Sequence, residues 1–106
     1  MQNDEKGLYS ALGLARKAGK LVTGTMACTQ AIKKGKVRLA IAAEDTAENT
    51  LDKLKIVCAE NNTKLITFGQ SRMLGMAIGR ENIKIIGVID RNFIKLILSK
   101  MQIEWR

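Results

Sequence analysis

Five consecutive residues, Thr23-Gly24-Thr25-Met26-Ala27, have the composition of an anion-binding turn that opens a helix. They offer free backbone N–H groups, two hydroxyls and a glycine that permits close approach, and they contain no carboxylate. Three other predicted helices open instead with acids, at Asp4-Glu5, Glu44 to Glu48 and Asp90, which offset the positive end of each helix dipole. A phosphate would suit the turn at Gly24. A threonine cap beside a tight glycine turn also occurs in proteins that bind nothing, and this pattern alone does not separate the two interpretations.

Further candidates come from basic residues and from a second turn. Lys33 and Lys34 are predicted on the exposed side of the helix that follows Gly24. The secondary candidates, which precede the strand before that helix, are Arg16, Lys17 and Lys20. The second turn, Gly79-Arg80-Glu81-Asn82-Ile83-Lys84, lies between the fourth helix and the last strand. It can meet the Gly24 turn only if the first strand runs antiparallel to the last, as mixed sheets with an antiparallel edge strand allow.

Enzymatic chemistry has little support in this sequence, and we expect no catalytic residues, cofactor or metal. There is no histidine, which removes the usual near-neutral base and the commonest metal ligand. Cys28 and Cys58 fall in separate predicted helices and are interpreted as small buried hydrophobes, with a disulfide the less favoured alternative. A paired-carboxylate site at Glu44, Asp45 and Glu48 is the less favoured interpretation. Acids at the start of a helix normally offset its dipole.

Charge is segregated along the chain of 106 residues, whose net charge is +8. Residues 1–38 carry eight Lys/Arg and two Asp/Glu, residues 39–63 carry two and five, and residues 64–106 carry eight and three. If the acidic middle is turned away, the two basic thirds form one face that attracts a polyanion, most often nucleic acid. The alternative is a generally basic protein whose lysines serve solubility.

Strand and helix patterns alternate, which predicts an α/β fold: a three-layer α/β/α sandwich around a small mixed central sheet. The buried strands appear as continuous apolar runs, and alternation by itself favours a mainly parallel sheet. The expected helices lie at about 4–18, 25–34, 48–61, 71–78 with Ser71 as its cap, and 90–101, and the strands at 21–23, 39–43, 65–68 and 85–89. We expect a single domain over residues 1–106, no membrane span or signal peptide, and a cytoplasmic location.

Four stretches resemble a known family. Three of them are Gly24-Thr25 with the helix that ends at Ala31 to Gly35, the run Leu39 to Ala47 containing Ala-Glu-Asp-Thr-Ala, and Ser71 to Gly79 containing Leu-Gly-Met-Ala-Ile-Gly. The fourth, Gly13 to Lys20 with the Thr23-Gly24 turn, is typical of one branch of that family. Over roughly residues 8–98 the chain resembles the ribosomal protein L7Ae/L30e superfamily, and most closely its bacterial YlxQ-type branch. The resemblance implies an α/β/α sandwich that grips a kink-turn, a sharply bent RNA with tandem sheared G·A pairs. It implies contacts from Gly24, Thr25, Met26, Ala27 and Gln30 and from Arg80, Glu81, Asn82 and Ile83.

The chain departs from the family pattern at Met26, Ala27 and Gln30, where better-known members place polar side chains that bind guanine edges. Met26 and Ala27 have no such groups, and each bidentate bond to a base that is missing is worth about 1–3 kcal/mol. We therefore expect selectivity for G·A pairs to fall more than overall affinity, since backbone N–H groups and lysines still hold phosphates. Met26 could pack on a splayed base if exposed, although a methionine near a helix start is more often buried.

The leading hypothesis is a non-enzymatic, ribosomal-protein-like domain that recognises structured RNA by shape and phosphate geometry, because four aromatic residues make no stacking platform. The alternative is a protein-interaction or dimerisation module. Besides RNA, the sequence allows a second copy of the chain as a partner, in a weak homodimer. Met101, Ile103 and Trp105, at the end of the last helix, motivate that alternative.

Overall fold

The computed structural model describes residues 4–102, which form five α-helices and four β-strands. In chain order these are α1 (Glu5–Lys17), β1 (Leu21–Thr23), α2 (Thr25–Lys33), β2 (Leu39–Ala42), α3 (Glu48–Glu60), β3 (Lys64–Thr67), α4 (Ser71–Ala77), β4 (Ile85–Val88) and α5 (Arg91–Lys100). Every element expected from the sequence is present at nearly the expected bounds. Glycines with positive φ follow the ends of α1, α2 and α4, at Gly19, Gly35 and Gly79, because the left-handed conformation there favours glycine.

The four strands form one mixed sheet in the order β1-β4-β2-β3. Strand β4 is antiparallel to both β1 and β2, and only β2 and β3 are parallel. The small mixed sheet is thus confirmed, whereas the expectation of mainly parallel pairing is wrong. The reason lies after α4, where the chain doubles back along that helix, with Arg80 N bonded to Gly75 O at 2.7 Å and Ile83 N to Ser71 O at 3.0 Å. Strand β4 therefore begins at the sheet end where α4 begins, and runs in the reverse direction.

Two apolar clusters, one on each face of the sheet, give the fold its three layers. One joins α1, α4 and α5 to the sheet, and the other joins α2 and α3. Strands β2 and β4 are buried at every residue because they lie in the middle of the sheet and are covered on both faces. Gly87 in β4 allows Val37, a member of the cluster under α2 and α3, to pack closely against the strand. A Cβ at Gly87 would lie 2.9 Å from a methyl of Val37.

The fourth helix is capped by a residue distant in sequence. Gln70 occupies the N-cap position and makes no side-chain cap bond, so the assignment of Ser71 as the cap is wrong. Ser71 is the first helical residue, and its amide and hydroxyl donate to Asp45 Oδ1 and Oδ2 at 2.8 and 2.6 Å. These bonds hold the pKa of Asp45 below its ordinary value, and the bond from the Ser71 hydroxyl has the larger effect. The turn between β2 and α3 therefore positions the start of α4.

The apolar stripe of the last helix faces inward. Ile94 and Ile97 are buried, and Phe93 and Met101 are half-buried against the α1/α4/α5 cluster. Ile103 and Trp105 lie outside the described residues. Over residues 4–102 the stripe therefore leaves no apolar face for a partner.

No helix within residues 4–102 is long and apolar enough to cross a bilayer.

Candidate nucleic-acid interface

The start of α2 has the geometry of an open helix N-terminus. Gly24 takes φ 96° and ψ 150°, a conformation essentially limited to glycine. No side chain caps the helix, so neither Thr23 nor Thr25 plays the capping role that the alternative interpretation required. A Cβ at Gly24 would meet nothing within 4 Å, so the space above the turn is open. Residues 25–27, which carry the first backbone N–H groups of α2, are exposed, so the helix start is accessible to an anion.

Among the five helices described, α2 differs in the charge at its N-terminus. Asp4 accepts from Gly7 N in α1 at 2.9 Å, and Asp90 accepts from Phe93 N in α5 at 3.1 Å. Helix α3 has Glu48 in its first turn, and α4 receives Asp45 from the β2–α3 turn. Helix α2 has no acid in its first turn and no carboxylate bonded to its start. Its positive dipole end is therefore the one left without a counter-charge in the part of the chain that is described.

The two candidate turns converge at one end of the sheet. The antiparallel pairing of β1 with β4 places the end of β1 beside the beginning of β4, where Gly24 N donates to Ile85 O at 3.0 Å. Ala43 N donates to Lys84 O at 2.7 Å, which brings the end of β2 to the same place. The condition that the sequence left open is met, because the loop that carries residues 80–84 ends against the Gly24 turn.

Backbone contacts hold the 80–84 loop in place. A Cβ at Gly75 would collide with the carbonyl of Glu81, so the loop lies directly on α4. Lys84 Nζ donates to Asp45 O at 3.2 Å, and Asp45 also caps α4. Sequence reasoning missed Asp45 and Lys84 as supports of this loop, because their partners are 26 to 39 residues away and no local pattern signals them.

Most predicted side chains are accessible. Met26 is 76% exposed, so the expectation that a methionine here is more often buried is wrong for this chain. Ile83 is half-buried against the α1/α4/α5 cluster and anchors the loop. The remaining exposed members of the predicted set are Thr25, Ala27, Gln30, Lys33, Lys34, Arg80, Glu81 and Asn82.

The predicted cations do not all gather at this end. Lys33 ends α2 and Lys34 is its C-cap, so they lie roughly 14 Å along the helix from its start. Lys20 lies at the opposite end of β1, where its carbonyl accepts from Ile89 N at 3.0 Å. Arg16 and Lys17 form the last turn of α1, which leads to Lys20. The three secondary candidates therefore approach the sheet from the end opposite Gly24.

The acidic middle segment is not turned away as a unit, which corrects the charge arrangement predicted from the sequence. Helix α3 packs beside α2, and Glu44 and Asp45 lie at the Gly24 end of the sheet. Asp45 is engaged by Ser71 and Lys84. Glu44 lies toward α1, since its amide donates to Gly69 O at 2.7 Å and Gly69 lies against Tyr9 of α1. Burial first, and then the charges of Glu5 and Glu44, raise the pKa of Tyr9. Glu44 and Asp45 are thus near the start of α2, but Glu44 lies toward α1 and Asp45 is bonded to Ser71 and Lys84.

The cysteines serve packing. Cys28 is buried under the α2 turn, with its Sγ 3.2 Å from Val22 O, and burial raises the pKa of its thiol to about 12. Burial also raises the pKa of Cys58, and the two thiols are free. Within residues 4–102 no group of three or more Cys, Asp or Glu side chains is arranged to hold a metal ion.

A family comparison is consistent with this arrangement of turns and layers. Residues 6–98 match the model of the ribosomal protein L7Ae/L30e/S12e/Gadd45 family. The chain belongs to this family. The resemblance seen in the Gly24 turn and the Ser71 to Gly79 stretch is therefore confirmed.

Relatives within the family extend the match over most of the chain. The RNA-binding protein YlxQ of Bacillus subtilis (strain 168) is 28% identical over 91 residues, 86% of this chain and 91% of the relative. The RNA-binding protein YlxQ of Enterococcus faecium is 29% identical over 93 residues, 88% of each chain. The similarity to the YlxQ-type branch thus extends over most of both chains in each pair.

Solved structures show the same fold. A protein of unknown function from Bacillus halodurans C superposes with a TM-score of 0.86 at 33% identity, covering 90% of this chain and 96% of the other. The 15.5kD RNA binding protein of Giardia lamblia superposes with a TM-score of 0.79 at 14% identity, covering 92% and 84%. At that identity the second likeness concerns the fold alone.

Proposed function

We propose that this chain is a non-enzymatic RNA-binding protein that grips a structured, kink-turn-like RNA at the Gly24 end of its sheet. The observation that carries the proposal is the uncapped, uncompensated N-terminus of α2 beside the 80–84 loop. Membership of the L7Ae/L30e/S12e/Gadd45 family supports it, as do two YlxQ relatives described as RNA-binding.

Each part of the site has a role that follows from its chemistry. The backbone N–H groups that follow Gly24 hold a phosphate at the positive end of the α2 dipole. Arg80 adds a cation from the loop, and Glu81 and Asn82 supply acceptor and donor groups for base edges or sugars. Exposed Met26 packs its thioether chain against a base that the bend of the RNA leaves unstacked.

Selectivity for the G·A pairs is expected to contribute less to RNA recognition than phosphate contacts do. Met26 and Ala27 offer no side-chain donor or acceptor, so the guanine edges of the G·A pairs are bound by fewer groups. Phosphate contacts position the RNA without distinguishing its sequence. We therefore expect the protein to prefer the bent shape over a straight duplex more strongly than it prefers G·A pairs over other pairs.

Titration of a labelled kink-turn RNA and a G·A-disrupted control at two salt concentrations tests the proposal. We expect both to bind, with affinity that falls steeply as salt rises, because phosphate contacts release counterions. Absence of binding to either RNA would overturn the proposal. Equal binding to the kink-turn, the control and a straight duplex would remove shape recognition and leave only nonspecific attraction.

A paired substitution sharpens the selectivity claim. Met26→Asn with Ala27→Gln supplies polar groups without a charge on an exposed surface, so neither the fold nor the phosphate site is disturbed. We expect its preference for the kink-turn over the G·A-disrupted control to rise by about 1–3 kcal/mol, the worth of one bidentate bond to a base. An unchanged preference would mean that these two positions do not face the G·A pairs.

A further inference from the structure

A groove runs between α2 and α3 on the face of the sheet that carries these two helices. Its volume is about 480 Å³, and α3 contributes its apolar floor, in which Leu54 is buried, Val57 is half-buried and Ile56 is 60% exposed. The rest of the lining is polar or basic: Thr25, Thr29, Lys33, Thr50 and Lys53. An apolar floor with hydroxyls and cations on its walls is suited to an amphipathic ligand.

Both cations of the groove are available. Lys33 on α2 and Lys53 on α3 form no ion pair among residues 4–102. No acid lines the groove, because Glu48, Asp52 and Glu60 of α3 are all outside its lining. The lining of the groove therefore carries two positive charges and no negative one, although it borders the helix that holds three of the acids of the middle segment.

The groove is continuous with the proposed RNA site. Strands β1 and β2 are parallel to each other, since each is antiparallel to β4, so α2 and α3 both begin at the Gly24 end. Thr25 and Thr50, in the first turns of the two helices, line the near part of the groove. Lys33 lies eight residues beyond Thr25, which corresponds to about 12 Å along α2.

We propose that this groove binds a single-stranded segment of the RNA as it leaves the Gly24 turn. A base lies on Ile56 and Val57, and the adjoining phosphates lie between Lys33 and Lys53. The inference rests on the proposed function, since it extends the same RNA along α2. RNA fits better than an amphipathic peptide helix, because the lining holds two lysines without an ion-pair partner and no acid, which suits phosphates.

The inference also accounts for lysines that the Gly24 turn cannot use. Lys33 lies too far along α2 to reach a phosphate held at the helix start. A strand that follows the groove passes it directly. Lys53, which sequence reasoning assigned to the acidic middle segment, becomes part of the binding surface.

The chain offers a matched pair for the test, since Lys53 and Lys55 are both exposed on α3 but only Lys53 lines this groove. Lys55 lines the groove on the other side of the helix, toward β3. The probes are a labelled kink-turn RNA carrying a short single-stranded uridine extension, on either strand in turn, and its blunt counterpart.

We expect wild-type protein to bind one extended RNA more tightly than the blunt RNA. Lys53→Glu should abolish that advantage and lower the salt slope for the extended RNA by about 1, while Lys55→Glu leaves both unchanged. Ile56→Ser should also remove the advantage but keep the salt slope, because it removes base contact and not charge. Thermal unfolding of each variant excludes a folding defect.

The outcomes separate this inference from the proposed function. If wild-type protein binds neither RNA, both are overturned. If it binds the blunt RNA as tightly as both extended RNAs, only the groove inference fails. The same holds if Lys53→Glu and Lys55→Glu have equal effects. If Ile56→Ser instead dissociates a self-associated form seen in sedimentation, a second copy of the chain occupies the groove and the inference is overturned.

Discussion

At the end of the sheet where β1 finishes, the 80–84 loop, which carries Arg80 and Lys84, ends beside the uncompensated start of α2. At the opposite end, where β1 begins, Arg16 and Lys17 form the last turn of α1 and Lys20 follows it. Cations at the end of a helix offset its negative dipole terminus. The two ends therefore have similar side chains and opposite electrostatic roles: one adds to the local positive field and the other balances a negative one.

This difference shows that a count of basic residues does not locate an RNA site. The N-terminal 38 residues carry eight of the 18 Lys/Arg, yet Arg16, Lys17 and Lys20 lie at the end away from Gly24. What distinguishes the Gly24 end is backbone: free N–H groups, an open space and a loop anchored on α4.

The largest expected effect comes from the backbone of the Gly24 turn. Gly24→Ala forces a side chain into φ 96°, ψ 150°, which costs about 1–3 kcal/mol unless the turn relaxes. We expect the loss in RNA affinity, measured by titration, to be of the same size, roughly 5- to 150-fold. Relaxation would move the N–H groups away from the phosphate.

Gly35→Ala is the control, because Gly35 also has positive φ, at 75°, and a Cβ there would meet nothing within 4 Å, but it follows the other end of α2. We expect this variant to lower thermal stability by a similar amount and to leave RNA affinity unchanged. Equal losses of affinity in the two variants would mean that stability, and not the Gly24 turn, limits binding.

A carboxylate at the open helix start should separate stability from binding. Thr25→Asp supplies the counter-charge that α2 lacks, which stabilises the helix by about 0.3–1 kcal/mol. It also places a negative charge where the phosphate binds, and like charges 4 Å apart near a surface repel by about 4 kcal/mol before screening. We expect the unfolding temperature to rise while RNA affinity falls tenfold or more, by about 1.4 kcal/mol at least.

The corresponding change at the other end is Ala18→Asp, at the exposed C-cap of α1. It alters the net charge equally, and there we expect slightly lower stability and unchanged RNA affinity. A fall in affinity for Ala18→Asp that matched Thr25→Asp would indicate that net charge alone governs binding.

A smaller effect is expected at Asp45, which supports the 80–84 loop and has no proposed contact with RNA. Its carboxylate holds Ser71 and its carbonyl holds Lys84. Asp45→Asn keeps one acceptor and removes the charge that offsets the α4 dipole. We expect faster hydrogen exchange at Ile83 N–H and a modest loss of RNA affinity with an unchanged salt slope, since every phosphate contact remains. Asp52→Asn on the exposed surface of α3 is the control and should change neither.

Stability should depend on pH through the same carboxylate. The folded pKa of Asp45 is lowered, mainly by the Ser71 hydroxyl and amide, from an ordinary value of 3.8. Its contribution to stability is therefore fully present above that value and is lost as pH falls through the lower folded pKa. Thermal unfolding below about pH 4 should show a smaller decline for Asp45→Asn than for wild-type protein, and identical declines would contradict this role.

Local patterns predicted the elements and the open helix start because both depend on neighbours in sequence. Apolar spacing and the glycines after α1, α2 and α4 mark the helices, and the lack of acids around Gly24 is visible directly. Strand order was not predictable, because it depends on the chain doubling back along α4 through the contact of Gly75 with Glu81. The Asp45–Ser71 cap, the exposure of Met26 and the groove beside Lys53 arise from packing between distant segments, which no local pattern records.

The smallest expected effect compares one arginine from each end of the sheet. Arg80→Gln and Arg16→Gln remove the same charge from exposed side chains. If Arg80 contacts a phosphate, the slope of log K against log salt should fall by about 1 for Arg80→Gln and stay unchanged for Arg16→Gln. Measurement on the blunt kink-turn RNA keeps the α2–α3 groove out of the comparison. A shift for Arg16→Gln as large as for Arg80→Gln would place RNA at both ends of the sheet and remove the distinction between them.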